Sequence, residues 1–347
     1  MEKKGLKMKI IIKIVAFCLF FISCEKYKKI ENKENFSWGV AIIAPRMYPI
    51  EIHKGYLGND KKMIAPFINT GLMQQGWAYY GDVFSGGNEM PTELSATWIS
   101  YAEKKFWKIE TEIDKKTQDK IRQLFIEGYD NKNLNGIWSH TTYKKITIGL
   151  APGGIVILWA SGLNKKTEIA HYQAKETFVS VNEFCRNPDE YTQQEFYDDR
   201  FEDYVPKETQ EYIKKNGVPL TLYEEYRTKY NYRFDLQFHK TDKESNDRES
   251  EYVNGEKEIV KIEDLNSYQT KALPSYCRFW FSQYNAEAEF DGEEILKTFK
   301  KISKNHPDKN IDIETKVAFM YKTVDFIVKC EGEEIPLQNV VVRMWKN

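Results

Sequence analysis

The chain has 347 residues, of which 41% are hydrophobic, 14% aromatic and 30% charged, with a formal net charge of -1. So apolar a chain is not disordered, and the lack of a basic excess argues against a nucleic-acid binder. Eleven Pro and nineteen Gly exclude a collagen-like or linker-dominated chain.

Residues 1–23 read as a signal peptide. Lys3, Lys4, Lys7, Lys9 and Lys13 make a basic head, and Ile14 to Ile22 an uncharged apolar run. The run is shorter than the ~20 residues that span a bilayer. It ends in Phe21-Ile22-Ser23-Cys24, which resembles the lipobox of bacterial lipoproteins. By that resemblance Cys24 carries the lipid (diacylglycerol, with palmitate-type acyl chains) and becomes the first mature residue. The alternative is an ordinary cleaved signal with an incidental cysteine.

Cleavage changes the arithmetic. Removing five lysines and Glu2 leaves 46 bases and 51 acids, a net charge of -5. Cys185, Cys277 and Cys330 remain besides Cys24, which allows at most one disulfide. No CxxC pair exists to suggest a thiolate zinc site. Residues 24–36 are polar and aperiodic, a flexible tether. Its mixed charge favours the outer membrane's periplasmic face over surface export.

From 37 to 185 the pattern is mostly period two, which predicts strands. Trp38–Ile43 and Ile50–Leu57 flank an Ala44-Pro45-Arg46 turn. Strands follow around Leu94, Ala96 and Trp98, and around Trp107, Ile109, Thr111 and Ile113. Asp114 caps a helix running to about Glu127, which Gly128 ends, with Ile121, Leu124 and Phe125 on its apolar face. A meander follows: Lys144–Leu150, the Ala151-Pro152-Gly153-Gly154 turn, Ile155–Trp159 and Lys166–Gln173.

Residues 186–230 read as an acidic, helical connector. Seven acids and only one base, Arg200, lie within 189–203, and Pro206 and Pro219 open short helices. A solvated connector is one reading; an acidic surface for a basic partner is the other. From 231 to 347 the grammar repeats. A strand around Tyr232–Phe238 precedes a solvated hairpin loop at 240–251 and an aromatic strand at Cys277–Tyr284. A capping box at Asp291–Glu294 opens a helix through Ile295, Leu296, Phe299 and Ile302. Strands at Ile313–Tyr321, Val324–Cys330 and Leu337–Trp345 complete the chain.

The expected fold is therefore α+β and β-rich. Two similar units of antiparallel strands, each with one packed helix, are joined by a short helical connector. Trp98-Ile99-Ser100 and Trp280-Phe281-Ser282 hold equivalent places before the two helices, as a duplication would leave them.

Catalytic motifs are wanting. His53, His140, His171, His239 and His306 show no i, i+4 pair and no H-E-x-x-H. Phe84-Ser85-Gly86-Gly87 lacks the first Gly of a nucleophile elbow and reads as a loop. No P-loop or dinucleotide fingerprint is present. Asp308, Asn310, Asp312 and Glu314 imitate half a calcium loop, but Ile313 and Phe319 stand where it needs Gly and Glu. They read instead as a strand's solvent face. No catalytic residue, metal ligand or cofactor is assigned. The aromatics could stack on sugars, or fill two modest cores.

Several short motifs together resemble one family. They are the lipobox, Trp38-Gly39-Val40, Ala44-Pro45-Arg46-Met47-Tyr48-Pro49, Gly76-Trp77 and the Leu94–Tyr101 strand. Gly149-Leu150-Ala151-Pro152-Gly153-Gly154 runs into Ile155–Trp159, and Leu222–Arg227 is followed by Tyr230-Asn231-Tyr232. The chain is similar in these to the domain-of-unknown-function 2931 family of bacterial lipoproteins. The family lends no catalytic residues. The resemblance implies a periplasmic immunity role, since some relatives are encoded beside type VI secreted lipase effectors. The expected protein is thus a lipid-anchored, non-enzymatic binding protein of the envelope. Its partners are the membrane and a secreted phospholipase; a structural or glycan-binding lipoprotein is the alternative.

Overall fold

The computed structural model describes residues 37–60, 62–133, 135–185, 192–239, 247–281 and 283–346. Cys24, Ser282 and the loop at 240–246 lie outside the described residues.

The first stretch holds β1 (Trp38–Ile43), β2 (Ile50–Asn59), β3 (Lys62–Ile68), β4 (Leu72–Met73), β5 (Val83–Gly87), β6 (Glu93–Ser100) and β7 (Lys105–Glu112). Helix α1 (Lys115–Glu127) follows. Then come β8 (Tyr129–Lys132), β9 (Trp138–Thr141), β10 (Lys145–Ala151), β11 (Ile155–Gly162), β12 (Lys165–Gln173) and β13 (Lys175–Thr177). The connector is helical: α2 (Val181–Phe184), α3 (Gln193–Tyr204), α4 (Lys207–Asn216) and α5 (Leu222–Glu225). Beyond it lie β14 (Tyr230–Gln237), β15 (Arg248–Tyr252), β16 (Lys257–Val260), β17 (Gln269–Lys271), β18 (Pro274–Trp280) and β19 (Tyr284–Phe290). Helix α6 (Gly292–Asn305) leads to β20 (Ile311–Val317), β21 (Val324–Cys330), β22 (Glu333–Pro336) and β23 (Val340–Lys346). The fold is β-rich, with several antiparallel sheets and few helices.

A ten-stranded sheet runs β23-β19-β18-β15-β16-β12-β11-β10-β1-β5. Five of its strands precede the connector and five follow it; Lys166 opposite Lys257 joins the two sets. The other large sheets are β13-β7-β6-β2-β3, with β4 on β2, and β17-β14-β20-β21-β22. Set aside β4, β8 and β9, number the strands afresh before and after the connector, and the two pairing orders coincide. In both sets the strand after the helix lies parallel to the first strand, β10 on β1 and β20 on β14.

Local chemistry explains the helices. Asp114 accepts the Thr117 N–H at 2.7 Å, and Gly128 closes α1 at φ 66. A Cβ on Gly128 would sit 2.2 Å from the Thr141 carbonyl oxygen, so only glycine fits. Asp291 caps α6 by accepting the Glu294 N–H at 2.7 Å. Ile295, Phe299 and Ile302 recur at helical spacing and are buried.

Three apolar clusters result. One lies between the sheets of the first stretch and takes in Ile121 and Phe125 of α1. A second, rich in Phe, lies under α6. The third lies under the connector, where Phe196, Val205 and Tyr223 cover Ile99, Phe106, Ile157 and Trp159.

Several expectations need correction. The Cys277–Tyr284 segment is not one strand: β18 ends at Trp280 and β19 starts at Tyr284. The strand from Ile313 stops at Val317, because Met320 and Tyr321 take φ of 55 and 52. Ser85 lies in β5, not a loop. Arg248, Glu249 and Ser250, assigned to a solvated loop, are buried in β15. The capping box at α6 is half made: the Glu294 carboxylate accepts from the Gln338 and Asn339 N–H groups instead. A reciprocal box does form at Thr192 and Glu195, where none was expected. The three described cysteines are free.

Candidate functional site

Motif residues from distant parts of the chain meet at one cleft of about 700 Å³. Its first wall is the Pro45–Met47 turn with Gln75, Trp77 and Tyr79; the connector adds Tyr223 and Tyr226. The opposite wall is Glu251 and Tyr252 of β15, Ser275 and Tyr276 of β18, Glu289 and Phe290 of β19, and Gly292. The cleft therefore lies where strands from before and after the connector face each other.

Packing behind the cleft is aromatic. The Trp77 ring stands edge-on to Trp159 at 5.1 Å and to Tyr223 at 4.9 Å. Tyr223 in turn meets Tyr48 at 6.1 Å and Tyr226 at 5.7 Å. Such edge-to-face pairs fix ring orientation as well as burying area. The glycine of the Gly149-Leu150 motif is explained here: a Cβ would lie 2.3 Å from the Trp159 ring. Gly292 yields room to the Tyr226 hydroxyl in the same way, a Cβ there lying 2.6 Å from it.

Three phenols at the cleft, Tyr223, Tyr226 and Tyr252, are held above the usual phenol range. Burial, then Tyr226, Tyr48 and Glu293, hold Tyr223 well above the usual phenol range. Burial followed by Glu293 and Asp291 raises Tyr226, and burial followed by Glu258 raises Tyr252. They are hydrogen-bond donors at any physiological pH. Among the described residues the Trp77 Nε1 and Gln75 Oε1 atoms, both buried, have no hydrogen-bond partner. Tyr79 is 41% exposed and offers an open ring face at the rim. Rings, phenols and the Arg46, Glu251 and Glu289 charges line the cleft, a surface chemistry suited to stacking and hydrogen bonding.

The residues considered for catalysis lie apart. His53 meets Glu183 at 3.1 Å, His140 meets Asp130 at 3.1 Å, and His306 meets Glu333 at 3.1 Å. His171 is 4.0 Å from Glu224, and His239 packs on Phe319. Ser85 Oγ donates to the Pro66 carbonyl. Asp312 accepts from Arg233 and Tyr268, Asn310 from Asn231, and Glu314 pairs with Lys329. Among the described residues no group of three or more His, Cys, Asp or Glu is placed to hold a metal. In the acidic segment Asp198 pairs with Lys104, and Phe196 turns into the third cluster.

The fold and cleft define a β-rich protein with an aromatic site between two strand sets. The chain belongs to the family described as protein of unknown function (DUF2931), whose model matches residues 25–221. The motifs from Trp38 to Trp159 fall inside that match; Leu222–Tyr232 lies just beyond it. No curated protein and no solved structure matches the chain. No helix among the described residues is long and apolar enough to cross a membrane.

Proposed function

We propose that this is a lipid-anchored, non-enzymatic binding protein of the bacterial envelope, held at the outer membrane's periplasmic face through Cys24. Its ligand surface is the aromatic cleft. The observation that carries the reading is the convergence of the Pro45–Met47, Gly76-Trp77 and Tyr223–Tyr226 motifs on that cleft. The scaffold we propose is a duplicated one, units 37–185 and 231–347 joined by the 186–230 connector; the coincident pairing orders support it. The specific role is immunity, with a secreted phospholipase as partner. Co-expression in the periplasm tests it: the intact chain protects against a type VI secreted phospholipase effector, and Tyr79→Ala with Tyr276→Ala abolishes protection. Toxicity undiminished by the intact chain removes this role. Metabolic labelling with a palmitate analogue tests the anchor; label on the wild type and none on Cys24→Ala is the expected result.

The half-open rings of Tyr79 and Tyr276 favour a second reading, glycan binding. Calorimetric titration with cell-wall and lipopolysaccharide sugars separates the two.

A further inference from the structure

The cleft wall that carries Trp77 and Tyr79 is fastened from behind by two lysines. Lys145 of β10, Ser161 of β11 and Lys166 of β12 are direct ladder neighbours, so their side chains share one face of the ten-stranded sheet. Lys145 and Lys166 are only 3% and 4% exposed. Lys145 Nζ donates to the Tyr80 carbonyl at 2.8 Å and the Gly81 carbonyl at 2.5 Å, and lies 3.0 Å from the Tyr80 ring centroid. Lys166 Nζ donates to the Trp77 carbonyl at 2.9 Å and the Tyr79 carbonyl at 3.4 Å, under the Trp159 ring at 4.1 Å.

Among the described residues neither lysine forms an ion pair. A buried amine with no acid is costly, and here the carbonyls of one short segment take the acid's place. That segment has neither helix nor strand over 74–82. Its own backbone ties are few: Gly76 N–H to the Ala44 carbonyl and Tyr79 N–H to Gly76. With Tyr79 and Tyr80 exposed, its one buried ring is Trp77, edge-on to Trp159 and Tyr223; glycines with positive φ bracket the segment, Gly76 at 117 and Gly81 at 77. Hinges of moving segments are such positions.

We propose that residues 76–81 form a lid on the cleft, latched by Lys145 and Lys166, and that the lid opens as a unit without disturbing the sheet beneath. Trp77 and Tyr79 travel with it, so its opening reshapes the ligand surface. The latch stands on geometry alone and does not depend on what the cleft binds.

Hydrogen-exchange mass spectrometry on the full chain tests it. In Lys145→Met and in Lys166→Met, amides of 76–82 exchange roughly ten- to hundredfold faster, the worth of one charge-assisted hydrogen bond, while β10–β12 amides hold. Unchanged exchange in 76–82, or an equal rise throughout β10–β12, overturns the lid. Amine labelling of the wild type covers the case in which the variants fail to fold. Lys145 and Lys166 then react together, at the rate of lid exchange and faster than global unfolding. Reaction at the rate of exposed lysines, or only on global unfolding, overturns it.

Discussion

Lys165 and Lys166 are neighbours on β12, and they point to opposite faces of the sheet. Lys165 meets a carboxylate, Glu258 Oε2 at 3.1 Å. Lys166 meets only the lid's carbonyls and a Trp ring. Burial works against the charge of both, yet Glu258, Tyr143 and Glu256 bring Lys165 above the ordinary lysine range. Burial leaves Lys166 well below it, with Glu251 too weak to offset it. Adjacent, chemically identical residues thus do different work. Lys165 helps join the two strand sets through an acid that Lys271 and Tyr252 also hold. Lys166 holds a segment that can leave.

The sharpest way to break this contrast is to remove the acid. Glu258→Gln leaves Lys271 without its acid and Lys165 with only the Coulombic pull of Glu256, and the expected loss is about 3–5 kcal/mol in urea unfolding. A loss under 1 kcal/mol would make the junction no different from the latch.

The pH profile separates the two faces next. Burial would raise Glu258, but Lys165 and Lys271 bring it down to about 2. Its stabilisation is complete above the unfolded carboxylate range and is lost as pH falls through about 2, some 3 kcal/mol in all. Lys145 runs the other way. Burial, slightly offset by Asp82, lowers it to about 8. The unfolded chain binds its proton more tightly, so Lys145 alone adds about 3 kcal/mol of stability between pH 8 and 10.5, beside the rise that Lys166 gives from lower pH. Lys145→Met removes that share of the alkaline rise; Glu258→Gln removes the share of the acid loss that Glu258 carries. Urea midpoints across pH read both, and an alkaline branch unchanged in Lys145→Met would mean the amine is not the titrating group.

Lys165→Met is a milder insult, because Glu258 keeps Lys271; about 1–2 kcal/mol is expected by thermal melting. Lys166→Met, one residue along, should loosen residues 76–82 and leave the β12–β16 junction at its wild-type amide-exchange rate, since it removes a lid contact and not the junction. Faster exchange at that junction would erase the comparison.

Sequence periodicity carried the elements well where local chemistry decides. Asp114, Gly128 and Asp291 mark helix ends by side-chain and φ requirements that travel with the residue. It failed at β5, where Gly86 and Gly87 look like a turn. They are glycines because a Cβ on Gly86 would lie 2.6 Å from the Trp38 carbonyl oxygen, and one on Gly87 2.5 Å from Ile64. Lys145, Lys166 and Arg248 were invisible as buried cations, since composition places charge in solvent and burial is decided by what packs above. The motifs at 45–47, 76–77 and 223–226 were legible one by one. Their meeting with Tyr276 was not, because strand period says nothing about which strands face each other.

If this meeting place is the ligand surface, as proposed, Tyr276 contributes to it. The direct measurement is the affinity of the intact chain, and of Tyr276→Ala, for a type VI secreted phospholipase effector by calorimetry. Tyr276 is half-buried at the cleft rim, so its loss should spare the fold. The expected result is at least about a tenfold weaker Kd in the variant, the scale of a lost aromatic anchor. An equal Kd in both proteins would contradict it.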